Sequence, residues 1–203
     1  MKARSRRTAV RLVLLWAAAA SLVAVCPARA EDPHADVRIS RQGRTFVVEA
    51  TLEAPVTPAL AWEVLTDFER MEKFVPNLAD SRIVARDGNR LTILQHGVAR
   101  FGPFTLRFES ERVVTLAPPS SIRSTQIRGT MEQLDSLTTF AASPGGTRLD
   151  YHVEAIPGVL YPDALTRRFL QHEIAEQFEA IVREMVRRRD AARPGAPPPA
   201  LNG

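Results

Sequence analysis

Residues 162–190 form the one long stretch whose apolar positions keep a helical period from end to end, and they constrain the fold more than any other segment. Leu165, Phe169, Ile174, Phe178, Ile181, Val182 and Met185 recur at the roughly 3.6-residue spacing of an amphipathic helix. The charged and polar residues between them, including Arg167, Arg168, Gln171, Glu173, Glu176, Glu179, Arg183, Glu184, Arg187 and Arg188, are expected in water. Pro162 suits a first helical turn, where its missing N–H costs nothing, and Asp163 sits at the positive end of the dipole. At about 1.5 Å per residue such a helix runs about 40 Å, too long to bury its stripe against one short neighbour. It needs a sheet to lie on.

The first thirty residues are expected to be a cleaved export signal. Lys2, Arg4, Arg6, Arg7 and Arg11 make a basic start, residues 12–25 form an apolar run broken only by Ser21, and Ala28-Arg29-Ala30 offers the small residues of a cleavage site before Glu31. The run is short for a membrane span, which takes about 20 residues. Six of the 27 Lys and Arg residues lie in this segment and none of the 23 Asp and Glu do, so the expected mature chain carries 21 basic against 23 acidic residues, a net charge of −2. The high isoelectric point therefore belongs to the signal, and the mature chain has no basic excess with which to neutralise phosphates. Nucleic-acid binding is set aside. The single cysteine, Cys26, also lies in the signal, which leaves the mature domain no disulfide.

The mature chain reads as a linker or short strand over residues 31–43, one domain over 44–190, and a disordered Pro-rich tail over 191–203. Phe46, Val48, Ala50 and Leu52 alternate with Val47, Glu49, Thr51 and Glu53, the period of a strand with one wet face. Thr57 then caps a helix with Pro58 in its first turn and Leu60, Ala61, Val64, Leu65 and Phe68 on its buried side. A second short helix is expected before Pro76. From residue 81 to 156 strands follow one another through hairpin signals such as Asp87-Gly88-Asn89, Gly102-Pro103 and Ser143-Pro144-Gly145-Gly146-Thr147. The fold class is α+β: a curved antiparallel sheet of six or seven strands wrapped round the long C-terminal helix, with two short helices after the first strand.

Such a sheet and helix enclose a concave space. Phe104, Leu106 and Phe108 share one face of their strand against Thr105, Arg107, Glu109 and Glu111, so the aromatic side is expected inside. The phase of the preceding strand is open: either Gln95 or His96 faces in. Ser124, Gln126 and Arg128 point either into the cavity as polar contacts or outward. Asp150, His152 and Glu154 are expected on a wet outer face, alternating with Leu149, Tyr151 and Val153, and Trp62 is expected in the core. Residues 156–162 are apolar for a loop and read as a flap over a cavity mouth or as ordinary core. No nucleophile elbow, phosphate loop, dinucleotide glycine set or zinc-helix motif occurs. His172 and Glu176 share a helix face, but His34, His96 and His152 are scattered, so no metal site is expected.

The segment Pro58-Ala59-Leu60-Ala61-Trp62-Glu63-Val64-Leu65-Thr66-Asp67-Phe68-Glu69-Arg70, followed by Phe74-Val75-Pro76-Asn77-Leu78 and Ser81-Arg82-Ile83, resembles the start of the START-like or helix-grip superfamily. That group includes the polyketide cyclase and dehydrase proteins, the coenzyme-Q-binding proteins and the birch pollen allergen. Gly129 and Gly146-Thr147-Arg148-Leu149-Asp150-Tyr151 are weaker echoes, and the resemblance runs over about residues 45–189. It implies a helix-grip fold, a cavity for a lipid, quinone or polyketide-like ligand, and no cofactor. Leu137 stands where the quinone-binding branch has an aromatic residue after the glycine bend.

The expected function is that of an exported carrier or sensor of a hydrophobic small molecule, without catalytic residues. Ligand contacts are expected from Phe74, Phe104, Leu106, Phe108, Gln126, Arg128, Leu137, Tyr161, Phe169 and Phe178. The alternatives are a cyclase or dehydratase using Gln126, Arg128 or His96, and a protein-interaction module with a filled interior. Transient membrane contact and the oligomeric state are left open.

Overall fold

The computed structural model describes residues 36–102, 104–158 and 162–193. The expected signal and cleavage site, Tyr161, most of the apolar loop before the long helix and all but the first residues of the tail lie outside the described residues, as do the side chains of Phe101 and Phe104.

Eight antiparallel strands make one sheet: β1 (Asp36–Gln42), β2 (Thr45–Ala54), β3 (Leu78–Asp87), β4 (Arg90–Phe101), β5 (Phe104–Ala117), β6 (Ser121–Gly129), β7 (Met131–Ser143) and β8 (Gly146–Pro157). Their order is β1-β2-β8-β7-β6-β5-β4-β3. Strands β3 to β8 form the expected meander. The chain adds β2 to it by pairing residues 46–54 with 147–155, and β1 covers the outer edge of β2. The eighth strand is β1, where Val37 and Ile39 alternate with exposed polar neighbours.

Helix α1 (Pro58–Leu65) starts as its sequence dictates. The Thr57 hydroxyl accepts from the Leu60 N–H at 3.4 Å, and Pro58 occupies the first turn. A 3-10 turn, Phe68–Lys73, buries Phe68 and Met71. Helix α2 (Asp163–Ala191) runs 29 residues, with Pro162 just outside it at the N-cap. Its C-terminal half buries Ala180, Ile181, Val182 and Met185 against Ala50, Leu52 and Leu149 of the sheet and Ala61 and Val64 of α1. A second cluster, Phe68, Met71, Leu91, Ile93, Val114 and Ile122, lies under the 3-10 turn. Trp62 packs between these regions, its ring 5.3 Å from Phe140.

Two acidic residues of α2 depart from the expected wet face, because each has partners that make burial tolerable. Glu173 is buried and accepts from the Asn77 side-chain amide at 3.1 Å. Glu184 is buried between the guanidinium groups of Arg187 and Arg188, each at 2.7 Å. Arg188, whose side chain is 13% exposed, also reaches Asp67 at 2.6 Å and Glu63 at 3.2 Å, and lies 5.7 Å over the Phe74 ring. This network ties the end of α1 to the end of α2. Burial opposes ionisation of Asp67, yet the hydrogen bonds from Arg70 and Arg188 hold its carboxyl below the usual range; Glu184 is held low first by its bond from Arg187.

Candidate ligand cavity

Between the middle of α2 and the concave face of the sheet lies a cavity of about 190 Å³. Strand alternation decides its lining. On β5 the inward parity carries Phe108, Arg112 and Val114; on β4 it carries Gln95; on β6, Ile122 and Ser124; on β7, Ser136 and Thr138; on β8, Tyr151. Helix α2 contributes Ile174, Gln177, Phe178 and Ile181, and the segment around the 3-10 turn adds Leu65, Phe68, Met71, Val75, Pro76 and Leu78. The Tyr151 and Phe178 rings meet edge-on at 5.1 Å, which fixes one wall. Gly97 fixes another: a Cβ there would fall 2.6 Å from the Phe108 ring and 2.0 Å from the Asn77 carbonyl oxygen. Only a residue without a side chain lets that ring and that loop close on the strand.

The lining is mostly apolar, with a short chain of polar groups at its base. Arg112 donates through Nη2 to Oε1 of Gln95, and Nε2 of Gln95 donates to Ser81 Oγ at 2.8 Å and approaches Met71 Sδ at 3.6 Å. Nε of Arg112 is buried without a partner, and so is Oγ of Ser124. Val114 pairs with Ser124 across β5 and β6, and Arg112 is the next inward residue of β5, so the two unpaired groups belong to neighbouring positions of one face. Burial pulls the Arg112 guanidinium below its ordinary value, but an arginine stays charged under any ordinary condition. Burial pushes the Tyr151 hydroxyl up, more than the nearby Arg112 pulls it down, so it keeps its proton. Among the described residues no histidine, aspartate or glutamate lines this cavity.

The structure redistributes the residues that the sequence singled out. Phe108 and Phe178 line the cavity. Leu106 is half-buried further along the inward face of β5, and Phe169 is half-buried near the start of α2, both beyond the lining. Phe74 packs against both core clusters and under Arg188, away from the lining. Gln126 does not face a ligand, because the β6–β7 ladder stops at Thr125–Asp135 and its amide fills the gap. It accepts from Ser110 Oγ at 2.9 Å and donates to the Met131 carbonyl at 2.7 Å. Arg128 faces out, its side chain 79% exposed and paired with Glu111 at 2.5 Å. Leu137 also faces out, because in the β7–β8 register it sits opposite His152, on the convex surface. On β4, Gln95 faces in; His96 is exposed, 3.6 Å from Asp80.

On that convex surface Arg123, Asp135, Leu137, His152 and Glu154 rim a depression of about 280 Å³. It is larger than the interior cavity, but its imidazole is already engaged: His152 Nδ1 lies 2.5 Å from Glu49 and Nε2 lies 3.4 Å from Glu154. The hydrogen bond with Glu49, despite partial burial, raises the His152 pKa. Among the described residues one group has metal-ligand character: His172, Glu173 and Glu176 of α2 hold donor atoms within 4.8 Å of one another. The Asn77 amide donates to both of those carboxylates.

A family model described as polyketide cyclase / dehydrase and lipid transport matches residues 54–183, from the end of β2 well into α2. The chain belongs to that family. Solved structures share its fold. The Zhui aromatase/cyclase from Streptomyces sp. R1128 is 18% identical, with 73% of this chain and 98% of that one covered at a TM-score of 0.64. A STAR-related lipid transfer protein from Xanthomonas axonopodis is 13% identical, with 78% and 96% covered at 0.63. A START superfamily protein from Mycobacterium smegmatis is 13% identical, with 70% and 97% covered at 0.60. At these identities the likeness is one of fold. No curated protein matches the sequence.

Within the family fold, the polar groups of this cavity were legible to different degrees: Gln95 and Ser124 were each one of two open readings, and Arg112 was passed over. Arg112 was visible: it continues the parity of Phe104, Leu106 and Phe108, but a charged residue argues against an inward assignment unless the face is followed to its end. Ser124 shares its alternation with Gln126, which stays on the inner side opposite Arg112 but spends its amide on Ser110 and Met131, while a bulge at Ile127 in the β5–β6 ladder turns Arg128 outward to Glu111.

Proposed function

We propose that the protein is an exported carrier or sensor of an apolar small molecule, held in the cavity between the sheet and α2. The observation that carries this reading is the cavity itself, an interior volume of about 190 Å³ walled by Phe68, Phe108, Ile122, Ile174 and Phe178 in a family that includes lipid transport proteins. Burial of a ligand tail at about 0.8 kcal/mol per CH₂ drives binding without any chemical step. Export is supported by the sequence of residues 1–30. Among the described residues no helix is long and apolar enough to cross a membrane.

One observation favours the enzymatic alternative: Arg112 and a protonated Tyr151 are two donors able to face a developing oxyanion. Among the described residues the lining has no carboxylate or imidazole to act as general base, which favours binding over acid–base chemistry. An interior with open volume also weighs against a module filled by its own side chains. The test is native mass spectrometry of the protein purified gently from a periplasmic extract, followed by organic extraction. A stoichiometric small-molecule adduct is expected. A protein that stays ligand-free when challenged with lipids and quinones overturns the reading.

A further inference from the structure

The cavity contains a cation that the protein does not neutralise. Arg112 makes one side-chain bond within it, to a neutral amide; its Nε–H is buried without a hydrogen-bond partner; and among the described residues no acidic one lines the space around it. Gln95 cannot turn to serve a second acceptor, because its amide nitrogen is held by Ser81 and Met71. Beside Arg112, on the same face, the Ser124 hydroxyl is also buried without a partner. A buried charge without a counter-charge costs more than a single neutral hydrogen bond returns. The same chain shows the usual remedy at the other end of α2, where Arg188 meets Glu184, Asp67 and Glu63. In the cavity the remedy has to come from outside the chain, and it must be acceptor-only and negative, because both open groups can donate.

Resting on the cavity reading above, we infer that the ligand is an ionised carboxylic acid with an apolar body, its carboxylate accepting from Arg112 Nε and Ser124 Oγ and its tail lying along Phe108 and Phe178. Gln95 acts as a positioning residue that holds the guanidinium with Nε toward the open volume. A carboxylate has the lone pairs for both donors at once, whereas an alcohol or ester of equal length brings no charge.

The test is isothermal titration of the delipidated protein with octanoate, 1-octanol and methyl octanoate at pH 7.5. Octanoate is expected to bind at least tenfold more tightly than the other two. Arg112→Gln should lower octanoate affinity at least tenfold and leave octanol within twofold, which also shows that the cavity survives the substitution. Arg112→Lys, which keeps the charge but loses the Nε–H, should fall between, and Ser124→Ala should cost two- to fivefold. The octanoate advantage should fade toward pH 4, where a carboxylic acid takes up its proton. Equal binding of all three probes by the wild type, or an octanoate preference that persists in Arg112→Gln, overturns the carboxylate assignment while the carrier reading stands. If none of the three binds, the carrier reading falls, and the assignment with it.

Discussion

The two halves of α2 lie over the same sheet and are built from similar residues, yet they enclose different interiors. Toward the C-terminus Ala180, Ile181, Val182 and Met185 close on Leu52, Val64 and Leu149, and the one arginine that enters, Arg188, is balanced by carboxylates from both helices and the segment between them. Toward the N-terminus Ile174, Gln177 and Phe178 are only half-buried because they face open volume, and the arginine there, Arg112, has no carboxylate. One half is closed by its own residues and gives the domain stability. The other is left incomplete, and an incomplete interior is what a ligand can complete.

The largest test of this contrast is truncation on each side. Met185→Ala, which opens a void in a filled region, should cost about 2–5 kcal/mol, whereas Ile174→Ala at the cavity wall should cost about 1 kcal/mol, because its loss enlarges a space that already exists. Denaturant titration of both variants reads the difference, and equal costs would mean that the two halves are packed alike.

The arginines sharpen the comparison. Arg188→Met should destabilise by about 3 kcal/mol, since it strands Asp67 and Glu184 with one partner each, while Arg112→Met should leave stability within about 1 kcal/mol of the wild type or raise it. The carboxyls of Asp67 and Glu184 are held low in the folded state, so their contribution is present above the unfolded values and is lost as pH falls through the folded ones. Arg188→Met should therefore also flatten the loss of stability in acid, as thermal melts from pH 6 down to pH 3 would show.

A third test concerns the cavity wall at Phe108. Gly97→Ala should cost about 1–3 kcal/mol, because the new methyl meets backbone that cannot yield easily. It should also weaken ligand retention by displacing Phe108. The smallest expected effect lies on the convex face. The His152 pKa is raised by Glu49, so the pair stabilises the fold at pH below the unfolded histidine value and loses that contribution as pH rises through the folded one. Both groups are well exposed, so His152→Gln should cost well under 1 kcal/mol at pH 5.5 and nothing measurable at pH 9.

The fold was legible because its signals are local. The stripe from Leu165 to Met185, the cap at Thr57 and the turns at Gly88 and Gly102 each state their element within a few residues. The family segment at residues 58–83 was equally local. What could not be read depends on partners far away in sequence. Glu173 and Glu184 look like solvent residues until Asn77 and Arg188 are placed beside them. Leu137 looks like a wall residue until the β7–β8 register puts it opposite His152, and Gln126 and Arg128 look like polar contacts until Ser110 and Met131 occupy the first and the bulge at Ile127 turns the second outward. Phe108 and Phe178 thus lie at the cavity wall as their periods imply, and of the three polar residues raised on β6 only Ser124 reaches the lining. Arg112 could have been reached by extending the parity of β5 by four residues beyond Phe108.

The β2–β8 ladder also sets an order of events in time. It joins Thr51 to Asp150 and Leu52 to Leu149, about a hundred positions apart, and Leu52 and Leu149 belong to the floor on which Met185 and Val182 rest. Closing so large a loop is entropically costly and places the fold among slowly maturing, high-contact-order topologies. A chain emerging from its N-terminus can build the β3–β7 meander early, but β2 has only β1 beside it until residue 147 arrives. The core then waits for α2, so roughly the first three quarters of the polypeptide remain without a finished interior and depend on the last quarter to become a protein.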